Sequence, residues 1–107
     1  MKRGDLVLAA GKGDFAGKPR PAIVVRNDLF EGFPTVVLCP ITSFLTGAIP
    51  VRIPLPSNAR TGLQKPSEVE VDKLQAMHVA KVKQTIGHAD ESEMLAIDAA
   101  LRMWLNL

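Results

Sequence analysis

Residues 17–25 read GKPRPAIVV, in which an arginine between two prolines is followed by an apolar run. The largely β-branched run at 22–25 favours a strand buried on both faces. Arg20 precedes that run between Pro19 and Pro21, and prolines restrict both their own φ and the residue before them. We therefore expect a guanidinium on a rigid backbone at the mouth of a buried strand. Such a group suits a bidentate grip on phosphate, although a rim arginine paired with a surface carboxylate fits the same pattern.

Further short strands are predicted along the chain. Apolar or alternating runs occur at residues 5–10, 21–26, 35–41, 51–55, 68–72 and 77–82. Prolines at positions 50, 54 and 56 place the run 51–55 at a sheet edge or a strand end. Strict alternation over 68–72 predicts its two valines on one face and its three carboxylates on the other.

The last segment has the pattern of an amphipathic helix. Asp90 is a suitable N-cap, and Glu93 stands three residues on to complete a capping box. Apolar residues then recur at helical spacing, at Met94, Ile97, Leu101, Trp104 and Leu105. Short strands followed by one helix predict a mainly β fold, a curved sheet or barrel with the C-terminal helix packed on it.

The composition is that of one globular domain over residues 1–107. With 47% hydrophobic and 22% charged residues, the chain is not of the disordered class. Its apolar runs are too short to span a bilayer, the first residues lack the apolar core of a secretory signal, and Cys39 has no partner for a disulfide. These features favour the cytoplasm. The net charge is only +2, but residues 1–26 hold six basic residues against two acids. This segment could supply a basic face, although the charges alone favour an ordinary solvated surface.

Polar residues at the ends of two predicted strands are candidates for chemistry. Thr42 and Ser43 follow the run 35–41, where the pattern alone favours a hydroxyl that caps a short helical turn. Glu70 and Asp72 share one face of the run 68–72. A carboxylate there fits a general base, while the pattern alone favours a solvated polar face.

Two further features argue against nucleotide and metal chemistry. The glycine-rich stretch 11–18 lacks the spacing of a phosphate-binding loop, which excludes a nucleoside triphosphate site. His78 and His88 stand apart from any cluster with metal-ligand spacing. We expect no metal and no other cofactor.

In order and spacing, several segments resemble the MazF/PemK family of toxin endoribonucleases, whose superfamily also contains the gyrase poison CcdB. The resemblance runs nearly end to end. It is carried by KRGD at 2–5, GKPRPAIVV at 17–25, PITS at 40–43, GLQKPS at 62–67, VDK at 71–73 and the closing segment 86–107.

The resemblance implies an SH3-like β-barrel with a C-terminal helix, acting as a homodimer. It implies metal-independent cleavage of single-stranded RNA, including mRNA, at short sequences, and inhibition by a cognate antitoxin protein. It places the family's active-site arginine at Arg20, its hydroxyl residue at Thr42, and the base proposed in some members at Asp72. We expect the RNA to be bound by the following residues: Lys12, Lys18, Arg20, Ser43 and Lys73.

The chemistry needs no metal, because RNA carries its own nucleophile in the 2′-hydroxyl. Arg20 would stabilise the phosphorane, Thr42 would orient the reacting group and Asp72 would take the proton. The expected products are a 2′,3′-cyclic phosphate and a 5′-hydroxyl. The sequence departs from the family at residues 13–16, which lack a Glu-Gln pair, and at Glu70, where some members have arginine. Both leave the general acid and the reading of bases open.

Two other functions are compatible with the sequence. A gyrase-binding toxin without nuclease activity would use a contact near its C-terminus, and Trp104 is placed for one. From its spacing Trp104 is otherwise expected in the core. The second alternative is a catalytically inactive SH3-like barrel that serves as an interaction module.

Overall fold

The computed structural model describes residues 1–10 and 18–107, which form a seven-stranded antiparallel sheet and a C-terminal helix. The strands are β1 (Asp5–Ala9), β2 (Arg20–Val24), β3 (Thr35–Thr42), β4 (Arg52–Leu55), β5 (Ser67–Glu70), β6 (Gln75–His78) and β7 (Val82–His88), and the helix is α1 (Glu91–Leu105). The sheet order is β4-β5-β3-β2-β1-β7, with β6 also paired to β3. The prediction of a mainly β fold with a C-terminal helix is confirmed.

Strand β3 connects two parts of the sheet. Its first half pairs with β6, from Thr35 opposite His78 to Leu38 opposite Gln75. Its last two residues pair with β5 instead, Ile41 opposite Val69 and Thr42 opposite Glu68. In the described chain the outer strands β4 and β7 do not pair with each other. The sheet is therefore open, and "barrel" describes it only loosely.

The alternation of side chains divides the core between the two sheet faces. One face packs against α1. The cluster between them includes Ile97 of the helix and the following sheet residues: Leu6, Ile23, Cys39, Ile41 and Val69. The other face has a second cluster, formed by Val7, Ala9, Ala22, Val24, Val36 and Leu38. Cys39 is a core residue as predicted, and burial raises the pKa of its thiol to about 12.

Helix α1 begins with the predicted capping box. The Asp90 carboxylate accepts a hydrogen bond from the Glu93 amide at 2.8 Å, and the Glu93 carboxylate accepts one from the Asp90 amide at 2.9 Å. Ile97 is fully buried, but Trp104 is 51% exposed. The prediction of Trp104 as a core residue is wrong, because no described element covers the last helical turn.

Two strand predictions have the wrong ends. The run 68–72 leaves the sheet after Glu70 and continues as a 3-10 turn, Val71–Lys73. The run 77–82 is divided between β6 and β7 by another turn, Val79–Lys81. Most of β7 was not predicted, since its exposed polar residues 83–85 show no apolar alternation. No helix in residues 1–10 and 18–107 has the length and apolar character to cross a membrane.

Candidate functional site

A groove of about 1070 Å³ lies where β2 begins and β3 ends. Its polar lining is mainly basic and hydroxyl-bearing, with two amides and one acid among the described residues: Lys18, Arg20, Lys65, Lys73, Thr42, Ser43, Ser67, Gln64, Gln84 and Glu70. Four cations against one carboxylate favour an anionic ligand, and the hydroxyls and amides can bond its oxygens or polar edges.

Arg20 is the first residue of β2 and lies opposite Ala9 of β1. Its side chain is exposed, and among the described residues it makes no hydrogen bond or ion pair. A paired rim arginine, the alternative that the sequence left open, is not found within residues 1–10 and 18–107. The guanidinium is available to a ligand with its five donors.

Thr42 ends β3 on the same sheet face as Arg20. Ala22 opposes Pro40 in the β2–β3 pair, and alternation carries that face to Arg20 and Thr42, two residues further along each strand. The Thr42 hydroxyl accepts a hydrogen bond from the Phe44 amide at 3.1 Å. This hydrogen bond stabilises a bend rather than the expected helical turn. The Thr42 O–H is still able to donate a hydrogen bond to a ligand.

Arg52 of β4 binds three carboxylates close to this groove. It donates to Asp72 from Nε at 2.8 Å and from Nη2 at 3.1 Å. Its Nη1 lies 3.6 Å from Glu68 Oε1 and 3.4 Å from Glu70 Oε2. The Arg52 side chain is 12% exposed, so these pairs lie largely out of water. We call these four residues the Arg52 cluster.

Asp72 is held by Arg52 rather than by the groove. Because the chain turns after Glu70, Asp72 leaves the strand face on which it was predicted. The hydrogen bonds from Arg52 engage both oxygens of the Asp72 carboxylate and hold its pKa below the usual value. Among the described residues, the carboxylate that lines the groove belongs to Glu70. The structure therefore brings Arg20 and Thr42 together, without Asp72.

Glu68 fixes the loop that follows Thr42. It opposes Thr42 in the β3–β5 pair and accepts hydrogen bonds from Thr46 N at 2.9 Å, Thr46 Oγ1 at 2.7 Å and Gly47 N at 3.2 Å. Burial opposes ionisation of Glu68, but these bonds hold its pKa below the ordinary value. The burial of Glu68 and Glu70 contradicts the expected solvent face of β5.

The basic residues of the N-terminal segment form only part of one surface. Lys18 and Arg20 line the groove, but Lys2 pairs with Glu31 at 2.8 Å and Arg3 pairs with Asp98 at 2.6 Å, both elsewhere. Arg26 is buried. Ser43 and Lys73 do line the groove, as expected of RNA-binding residues, whereas Lys12 lies outside the described residues.

Sequence reasoning missed the contribution of residues 62–65 to the groove. Gly62 has φ +70°, and a Cβ at this position would lie 2.1 Å from the carbonyl oxygen of Ile86. The backbone therefore passes against β7 so closely that only glycine fits. This approach brings Gln64 and Lys65 to the groove. Gly62 in the GLQKPS motif was the available signal.

A metal site is not formed by the described residues. No three His, Cys, Asp or Glu side chains in residues 1–10 and 18–107 are grouped so as to hold a metal ion. The acids of the Arg52 cluster are instead bound to a cation of the protein itself.

Comparison with known proteins gives one family. A model of the family described as "PemK-like, MazF-like toxin of type II toxin-antitoxin system" matches residues 2–105. A protein of Mycolicibacterium smegmatis named "Probable endoribonuclease MazF" is 32% identical over 107 residues, covering 100% of this chain and 98% of the relative. "Endoribonuclease MazF" of Staphylococcus epidermidis is 28% identical over 112 residues, covering 100% and 92%.

Solved structures share the fold. "Mycobacterium tuberculosis toxin MazF-mt6" has a TM-score of 0.81 at 23% identity, covering 96% of this chain and 97% of that one. "Endoribonuclease in complex with its cognate antitoxin from Mycobacterial species" has a TM-score of 0.82 at 20% identity, covering 100% and 96%.

Proposed function

Since the chain belongs to the family of PemK-like, MazF-like toxins of type II toxin–antitoxin systems, we propose that it is an endoribonuclease that cleaves single-stranded RNA without a metal. The observation that carries this proposal is Arg20, which has no partner within residues 1–10 and 18–107 and lines a basic groove with Thr42. The curated relatives named endoribonuclease support the reaction class.

The groove suits transfer of a phosphoryl group within RNA. The 2′-hydroxyl attacks the adjacent phosphorus, and negative charge develops on the phosphorane oxygens. Arg20 offers a planar fork of donors to those oxygens. The Thr42 hydroxyl donates a hydrogen bond to a phosphate oxygen, while the hydrogen bond that it accepts from the Phe44 amide keeps it oriented. The products on this proposal are a 2′,3′-cyclic phosphate and a 5′-hydroxyl.

We also propose a location for the protein and two protein–protein contacts, one with a second copy of the chain and one with an antitoxin. We expect a cytoplasmic homodimer that a cognate antitoxin inhibits, and one relative of the same fold is described in complex with its antitoxin. The C-terminal end of the chain supports a protein contact, because four apolar side chains there are exposed: Met103, Trp104, Leu105 and Leu107. Sedimentation at micromolar concentration should give a dimer, and an active monomer would remove the homodimer from the proposal.

The reaction is tested by incubating the purified protein with a long RNA and with DNA of the same sequence, in excess EDTA. RNA should be cut and DNA left intact, because DNA lacks the 2′-hydroxyl. Mass spectrometry of the fragments should find cyclic phosphate ends. Cleavage that begins only after Mg²⁺ is added would contradict the metal-free route. If the RNA stays intact, and a separate assay with gyrase and DNA gives trapped gyrase–DNA complexes, the gyrase-binding toxin is favoured instead.

A further inference from the structure

Three carboxylates surround Arg52, and they differ in what else they bind. Glu68 accepts three hydrogen bonds from the loop at Thr46 and Gly47, and Asp72 accepts two from Arg52. Glu70 makes ion pairs to Arg52 at 3.4 Å and to Lys73 at 3.5 Å, but among the described residues it accepts no hydrogen bond. The Glu70 carboxylate therefore keeps more acceptor capacity for a ligand than Glu68 or Asp72 does.

Glu70 is also the member that reaches the groove. It lines the groove with Arg20 and Thr42, and no other described groove-lining residue is an acid. Thr42 opposes Glu68 in the β3–β5 ladder, so alternation along β5 puts Glu70 on the same face as Thr42. Because Glu70 lies two residues beyond Glu68 along β5, it is a diagonal neighbour of Thr42, at about 7–8 Å. One nucleotide can span that separation.

We propose that Glu70 is the general base of the cleavage reaction, a role that rests on the proposed endoribonuclease function. The Glu70 carboxylate accepts the proton of the 2′-hydroxyl as that oxygen forms its bond to phosphorus. The bond from phosphorus to the 5′ oxygen breaks, and this oxygen takes a proton from water. The carboxylic acid then returns its proton to water, and no metal or redox partner takes part.

Arg52 and Lys73 hold the carboxylate in place for this step. Both contact the same oxygen, Oε2, and they come from two elements, Arg52 from β4 and Lys73 from the turn after β5. The side chain is only 9% exposed, so its position is fixed by protein rather than by solvent. A base held in this way avoids reorganisation during proton transfer.

The test is the single-turnover cleavage rate and the RNA affinity of Glu70→Gln, which keeps the shape and removes the base. General base catalysis contributes about 100-fold or more, so the rate should fall by at least about that factor while the dissociation constant for RNA stays within about threefold. Glu91→Gln is the control: it removes an exposed carboxylate from the first turn of α1, outside the groove. It should keep the cleavage rate within about threefold.

The pH profile separates a base from a structural role. With the base gone, hydroxide must take the proton, so the Glu70→Gln rate should rise about tenfold per pH unit between about pH 6 and 9, more steeply than wild type. The charged groups that face Glu70 are Arg52 and Lys73, with Glu68 and Asp72 sharing Arg52, and they are the same in both proteins.

Three results would overturn the assignment while leaving the endoribonuclease intact. One is a Glu70→Gln protein that cleaves at the wild-type rate. Another is a slowed variant with an unchanged pH profile. The third is the hydroxide-dependent profile appearing in Asp72→Asn instead. If Glu70→Gln fails to fold, Glu70→Asp is used, which should be slowed but retain the wild-type profile. A wild-type protein that leaves RNA intact contradicts the proposed function itself, which is a distinguishable outcome.

Discussion

Two arginines on one side of the molecule have opposite surroundings. Arg52 is 12% exposed and is bound to three carboxylates, whereas Arg20 is exposed and makes no ion pair with a described residue. They are separated by β3 and β5 in the sheet order, and both stand next to the groove. The pairing of a charged side chain, not its residue type, distinguishes the one that supports the fold from the one that can act on a ligand.

The difference follows from the cost of removing charge from water. A largely buried guanidinium is tolerated only when carboxylates replace its hydration, and then it is locked in place. An exposed guanidinium keeps its hydration until a phosphate displaces the water, so its donors remain available. The Arg52 cluster should therefore control stability, and Arg20 should control activity. Variants of each arginine test this division.

The largest effect is expected for Arg52→Ala. It removes the cation that Glu68, Glu70 and Asp72 share, and loss of one partner of a buried pair costs about 3–5 kcal/mol. Urea denaturation should show the loss as a lower midpoint with an unchanged slope. A midpoint equal to that of wild type would show that the cluster contributes little to folding.

Arg20→Ala should have the opposite effect. The residue is exposed and unpaired in the described chain, so the free energy of unfolding should change by less than about 0.5 kcal/mol. The single-turnover cleavage rate should fall about 100-fold, or about 3 kcal/mol of transition-state stabilisation. Lys83→Ala is the control, since Lys83 is an exposed cation of β7 outside the groove. Wild-type cleavage by Arg20→Ala would remove Arg20 from the site.

A smaller effect is expected from acid. Hydrogen bonds hold the pKa values of Asp72 and Glu68 below their ordinary values in the folded protein. Their stabilisation is therefore complete above about pH 4.5 and is lost as the pH falls through the lowered values, where the unfolded chain binds more protons. Thermal melting between about pH 7 and 3 should show this decline. Arg52→Ala should show less of it, and an equal decline in both proteins would assign the effect to other carboxylates.

How far the sequence predicts the fold differs between its segments. The helix was predicted from Asp90 onward because capping and apolar spacing are local signals, and its capping box is present. The end of β5 is not predicted correctly, because the alternation of apolar and charged residues continues through Asp72 while the chain already turns at Val71. Strand β7 was missed because it is defined by pairing with β1, not by its own exposed residues.

The candidate site is likewise predictable only where local motifs define it. Arg20 is predicted from its own motif and Thr42 only from the family resemblance, and the structure brings both to one groove. Which acid reaches that groove depends on Arg52, whose partners come from β5 and the following turn, up to 20 residues away. An ion pair between residues that are distant in sequence cannot be predicted from the spacing of neighbouring residues. Asp72 was therefore chosen from resemblance, and Glu70 is identified only once the register of β4 with β5 is known.

The most direct test of the account is the single-turnover cleavage rate of Arg20→Lys, measured with its melting temperature. Lysine keeps the positive charge and loses the planar fork of donors. If Arg20 grips the phosphorane with two hydrogen bonds, Arg20→Lys should recover only a small part of the activity lost in Arg20→Ala, with an unchanged melting temperature. A rate close to wild type, together with RNA binding that weakens with salt as any phosphate contact does, would contradict the account and reduce Arg20 to an electrostatic attractor.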